Sequence, residues 1–117
     1  MPIPSAQDSL TGLAILSTAT VVSGLAPASR PLKLSLAGRW VLTIHCTHAT
    51  VGISVVRYRR RVSTTAPWGP WVTATGVTVA AGATAEIGVD GDCLEDLDVE
   101  LTGDGGVSSA ALYVVGV

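Results

Sequence analysis

From Arg39 the chain alternates. Trp40, Leu42, Ile44 and Cys46 are apolar at every second position, with Val41, Thr43, His45 and Thr47 between them. A period of two sends one set of side chains to each face of a sheet, so the spacing predicts a half-buried strand. After Thr47 to Thr50 a second strand is expected, with Val51, Ile53 and Val55 on one face. It runs into Arg57, Tyr58, Arg59, Arg60 and Arg61, so that a buried pair of strands ends in a basic rim.

The rest of the chain reads as strands added around this pair. Leu13 to Val22 is an apolar run with β-branched residues toward its end, most simply a strand; a short helix over 6–16 is the rival reading. Leu32, Leu34 and Leu36 alternate with Lys33 and Ser35. Pro67, Gly69 and Pro70 then break the ladder in a loop where Trp68 and Trp71 supply apolar anchors. Val72, Ala74, Val77 and Val79 straddle Gly76, followed by Ala85, Ile87 and Val89. Leu97, Val99 and Leu101 alternate with Asp98 and Glu100, a pattern that predicts a half-exposed strand with a solvated acidic face. A last apolar run fills 108–117. About eight short strands separated by turn signals predict an all-β fold, an antiparallel β-sandwich of jelly-roll type. No alternation of strand and helix competes with it.

Length allows a single domain with its own core, since 117 residues bury enough surface without obligatory metals or disulfides. The domain is expected over 12–117, behind an extended N-terminal arm over 1–11 in which Pro2 and Pro4 remove ladder donors. Charged residues are only 14% of the chain, and a domain so poor in charge is expected to cover part of its surface with a partner. The charge is also unevenly placed. The first 62 residues hold all seven basic groups and one acid, a balance of +6, whereas the remainder holds eight acids and no base, −8. Internal pairing within the sandwich and head-to-tail contact between subunits both answer this asymmetry. The net charge of −2 argues against nucleic acid as the main partner. The opening residues lack a basic n-region and a long apolar core, so a cytosolic start is expected, and no window is long enough to span a bilayer.

Candidate chemistry is sparse. His45, Cys46 and His48 offer three metal-ligating side chains in four residues, but adjacent strand residues point to opposite faces and no second ligand pair follows, so no metal site is expected. Cys46 and Cys93 are too few for a disulfide framework, and reduced thiols are expected. The acidic run from Asp90 to Glu100 lacks the order of a calcium-binding loop. Its paired carboxylates lack evidence of the groove that a glycosidase needs. No nucleophile elbow, phosphate loop or dinucleotide fingerprint occurs. No cofactor and no catalytic residue are expected, and the reading is non-enzymatic. The arginine cluster has only Tyr58 as an internal aromatic, short of a single-strand-binding platform, so subunit contact is the simpler use. Trp68 and Trp71, with Trp40 and Tyr58, serve either as anchors or as a sugar-stacking surface.

Several segments together have a family look: RWVLTIHC, APWGPWV, GVTVAAGATAEIGVDG, LDVELTGDGG and AALYVVGV. From about Arg39 to the end, the chain resembles small β-sandwich virion proteins of tailed bacteriophages. The resemblance implies a structural protein of the particle, a head decoration or cement protein bound to the major capsid protein, with tail or adaptor roles also represented in that family. The reading that follows is a homo-oligomer on the capsid surface, assembled in the host cytoplasm without membrane or nucleic-acid partners. The residues expected to meet partners are Pro2, Ile3 and Pro4 of the arm, Arg57, Arg59, Arg60 and Arg61, and Trp68 and Trp71. A carbohydrate- or receptor-binding module built on Trp68, Trp71 and Tyr58 is the alternative.

Overall fold

The computed structural model of the chain describes residues 8–26, 28–34, 39–90 and 94–116. Nine strands occur among them: β1 (Asp8–Ile15), β2 (Thr20–Val21), β3 (Leu32–Lys33), β4 (Arg39–Cys46), β5 (Ile53–Arg61), β6 (Val72–Thr73), β7 (Thr84–Asp90), β8 (Asp96–Gly103) and β9 (Ser108–Gly116). They form two antiparallel sheets, ordered β1-β9-β4-β7 and β2-β8-β5-β6, with β3 also paired to β8. Leaving β3 aside, these are the strand orders of an eight-stranded jelly roll. The ninth strand arises because one jelly-roll strand is interrupted. Thr20 and Val21 pair with Leu101 and Glu100, the chain makes an excursion that includes a 3₁₀ turn at Val22–Gly24, and Leu32 and Lys33 resume pairing with Leu97 and Asp96.

The core lies between the sheets. One sheet contributes Leu10, Ile15, Leu42, Ile44 and Leu112, the other Leu32, Ile53, Val56, Leu97, Val99 and Leu101, and the 3₁₀ turn adds Val22, all buried. Each such side chain contributes roughly 1.5–3 kcal/mol by leaving water. Trp40 is buried with them, and Gly116 across the ladder lies close under its ring, where a Cβ would come within 3.2 Å of the indole.

Several local expectations are corrected. Asp8 to Thr11 belong to β1, with Asp8, Ser9 and Leu10 paired to β9, so residues 8–11 are not part of an arm; Pro2, Ile3 and Pro4 lie outside the described residues. The apolar run 13–22 is two strands, not one strand or a helix, because the chain turns between Ile15 and Thr20 to change sheets. β4 and β5 are likewise not paired with each other. They are consecutive in sequence and sit in opposite sheets. A register shift between Ile53 and Val55 then leaves Val55 exposed and turns Val56 into the core. Leu36, Gly91 and Cys93 fall outside the described residues, and Cys46 is a buried free thiol.

Candidate functional site

The largest departure from expectation is on β8. Asp96 and Asp98 are completely buried and Glu100 nearly so, although they occupy the outer face of their sheet. The cover is supplied by β5. The antiparallel register sets Arg57 opposite Glu100, Arg59 opposite Asp98 and Arg61 opposite Asp96. Directly opposed residues share a face and lie close enough for their side chains to meet. Arg57 Nη1 donates to Glu100 Oε1 at 3.0 Å, Arg59 Nη2 to Asp98 Oδ2 at 3.0 Å, and Arg61 Nε to Asp96 Oδ2 at 2.6 Å.

Asp98 and Asp96 also have polar neighbours beyond β5. Ser23, in the 3₁₀ turn that interrupts the edge strand, donates its backbone N–H to Asp98 Oδ1 (3.2 Å) and its hydroxyl to Asp98 Oδ2 (2.9 Å). The Val99 N–H adds a third donor at 3.0 Å. Lys33 Nζ lies 2.8 Å from Asp96 Oδ1, close enough for ionic attraction but off the hydrogen-bonding direction of that oxygen. Removing a carboxylate from water is costly unless charge and hydrogen bonds replace the lost hydration. At Asp98 both are present.

The tryptophans complete the layer. Val72 and Thr73 pair with Tyr58 and Arg57, and continuing that register brings Trp71 beside Arg59. The Gly69 N–H donates to Arg60 O at 2.8 Å and fastens the loop along β5. Same-face residues on a strand are about 6.7 Å apart, room for one ring between two guanidinium groups. Trp71 accordingly has Arg57 at 5.5 Å and Arg59 at 4.5 Å from its centroid, while Trp68 has Arg59 at 4.7 Å and Arg61 at 4.2 Å. The order along the sheet is Arg57, Trp71, Arg59, Trp68, Arg61. Arg60 alternates to the other face of β5, with its guanidinium 5.9 Å from the Tyr58 ring.

Of the side chains expected to meet partners, Arg57, Arg59, Arg61, Trp68 and Trp71 are therefore brought together, with their charges and ring faces engaged inside the domain. An acidic stripe of Asp96, Asp98 and Glu100, of which Asp98 and Glu100 were expected to face solvent, is the other half of the assembly. The available signal was the matching spacing of R-x-R-x-R and D-x-D-x-E, both at the strand period.

The remaining candidates do not converge. His45 Nδ1 is 3.0 Å from Thr84 Oγ1, the Cys46 thiol donates to Val51 O at 3.3 Å, and His48 Nδ1 accepts the N–H groups of Thr50 and Val51. Among the described residues no group of three His, Cys, Asp or Glu side chains is placed to hold a metal ion, and no helix is long and apolar enough to cross a membrane. At one end of the sandwich an open cleft of about 500 Å³ is lined by small residues including Thr50, Ser54 and Thr78, with Asp104 its one ionisable group. No acid–base pair meets there. No protein-family model, curated protein or solved structure matches the chain.

Proposed function

We propose that this chain is a non-enzymatic structural protein of a virus particle, a decoration protein that binds the major capsid protein and stabilises the head. The observation that carries the reading is the arginine–tryptophan–carboxylate ladder. The side chains that an acid–base enzyme would keep poised, or that a sugar-binding module would keep uncovered, are engaged with one another as a rigid outer layer. An aromatic platform for a sugar needs a free ring face, and Trp68 and Trp71 each have two guanidinium groups stacked on them. This favours a structural role over the carbohydrate-binding alternative.

Exposed apolar side chains support surface attachment. Leu16 and Val107 are about half exposed and flank the last paired residues of β1 and β9, Ile15 and Ser108, at one end of that ladder. Attachment to capsids through such contacts, with charge setting orientation, is the expected arrangement.

The test is direct. Purified chain is added to purified phage heads lacking it, and to an array of immobilised glycans. Saturable binding at a constant ratio to the major capsid protein, with heads that resist heat better, is the expected result. Retention on glycans without binding to heads would replace this reading with the carbohydrate-binding one.

A further inference from the structure

Three of the four sheet edges carry devices that discourage further pairing. β1 is bent by a bulge at Thr11 and Gly12, where Gly12 takes φ +68° and the register with β9 shifts. The β2/β3 edge is two short pieces interrupted by a 3₁₀ turn, with Pro31 before the second. β6 is two residues long and follows Pro70 and Trp71. Short strands, bulges and prolines are the usual protections of a sheet edge. β7 has none of these. It runs seven residues without a register shift, a proline or a positive φ, and among the described residues nothing pairs with its outer side.

The direction of its free groups follows from one hydrogen bond. Cys46 N–H donates to Ala83 O at 2.9 Å, so the residues in phase with Ala83, namely Ala85, Ile87 and Val89, bond to β4. Thr84, Glu86 and Gly88 therefore present their backbone N–H and C=O groups outward. Their side-chain positions are exposed, while Ala85 and Ile87 are half-buried on the core side.

We propose that this edge is paired by residues 3–7 of a second copy of the chain. The sequence ahead of β1 is suited to one-sided pairing. In an extended segment alternate residues point their N–H groups to opposite edges. Pro2 and Pro4 thus place both missing donors on one edge and leave Ile3, Ser5 and Gln7 intact on the other. Pairing through Ile3, Ser5 and Gln7 turns Pro2, Pro4 and Ala6 toward the core side, against Ala85 and Ile87. It also ends the sheet, because the prolines offer nothing to a further strand.

Two competing occupants fit less well. A chain cannot serve its own β7: three strand spacings, about 14 Å, separate β1 from β7, whereas Ser5 is three residues from Asp8, a reach of about 10 Å. Pairing of β7 with its own copy brings two Glu86 carboxylates directly opposite or within about 7–8 Å on the diagonal. Residues 1–7 carry no charged side chain to oppose Glu86. The proposal is independent of the particle reading, since it concerns only contacts between copies.

The experiment is amide hydrogen exchange of Glu86 and Gly88 in the full chain at low and high protein concentration, paired with sedimentation equilibrium. Self-association is expected, with exchange at both amides slowed by about tenfold or more as copies assemble. Ser5→Pro, which removes a donor from the pairing edge, should make the protein monomeric with an unchanged melting temperature. Gly88→Pro should do the same, because the lost N–H faces outward and serves no bond to β4. A full chain that stays monomeric overturns the proposal, as does self-association that persists in Ser5→Pro. Protection at Ala6 without protection at Gly88 overturns it too, since the residues in phase with Asp8 and Leu10 face β9 and the arm would then only prolong β1 beside its own β9.

Discussion

Arg59 and Asp98 face each other across β5 and β8, with Arg59 Nη2 3.0 Å from an Asp98 carboxylate that is fully buried. The guanidinium has Trp68 and Trp71 stacked on it at 4.7 and 4.5 Å, and the carboxylate has Ser23 on its far side. This pair is the middle rung of the outer layer, and truncating either member strands the other.

Asp98→Ala is therefore expected to cost about 3–5 kcal/mol, the usual penalty for removing one partner of a buried ion pair. Arg59→Leu combined with Asp98→Leu should recover most of that loss, because no uncompensated charge remains. Arg59→Glu with Arg61→Glu should melt the domain at a much lower temperature by opposing carboxylates to Asp98 and Asp96. Urea unfolding of the single and double variants measures the first two, and thermal unfolding the third. A double reversal with an unchanged melting temperature would show that the ladder is not needed for folding.

Trp68→Ala removes the ring between Arg59 and Arg61. Each cation–π contact contributes roughly 0.5–2 kcal/mol, depending on desolvation, so a loss of about 1–3 kcal/mol is expected. Trp68→Phe should retain part of it. Denaturation followed by far-UV circular dichroism checks the order wild type, Phe, Ala; equal stability of the three would mean that the loop merely rests on β5.

Asp8 provides a pH test. Burial alone would raise its pKa, but the Arg30 guanidinium and the N–H groups of Lys33 and Ser9 outweigh burial and hold it below the ordinary 3.8. A carboxyl whose pKa is depressed by folding adds stability above its unfolded pKa and loses it as pH falls through the folded value. The stability difference between wild type and Asp8→Asn should accordingly be constant near neutrality and shrink below pH 3.8. A difference that grows on acidification would contradict this assignment.

Much of the architecture was legible along the chain. The period of two in β4, in β7 and in the apolar set of β8 is a local property, because alternate side chains on a strand meet alternate faces whatever the partner strand is. With turn signals between short runs, it sufficed for a jelly-roll sandwich. The break at Ile15 and the bulge after Ile53 were not legible, because the residues through both, Ser17 and Thr18 in one and Ser54 and Val55 in the other, also suit a continuous strand while backbone direction changes.

Residue types and spacing alone determined the strand content, the two-layer class and the stripes R-x-R-x-R and D-x-D-x-E. Only the tertiary structure decided that the two stripes are neighbours. The residues they join are 35 to 43 positions apart, and nothing local selects β8 over another strand as the partner of β5. That choice reversed the meaning of the acids. Read singly, a carboxylate prefers water; placed opposite a guanidinium stacked on an indole, it finds charge and hydrogen bonds that replace its hydration, and the face that alternation assigns to solvent becomes buried.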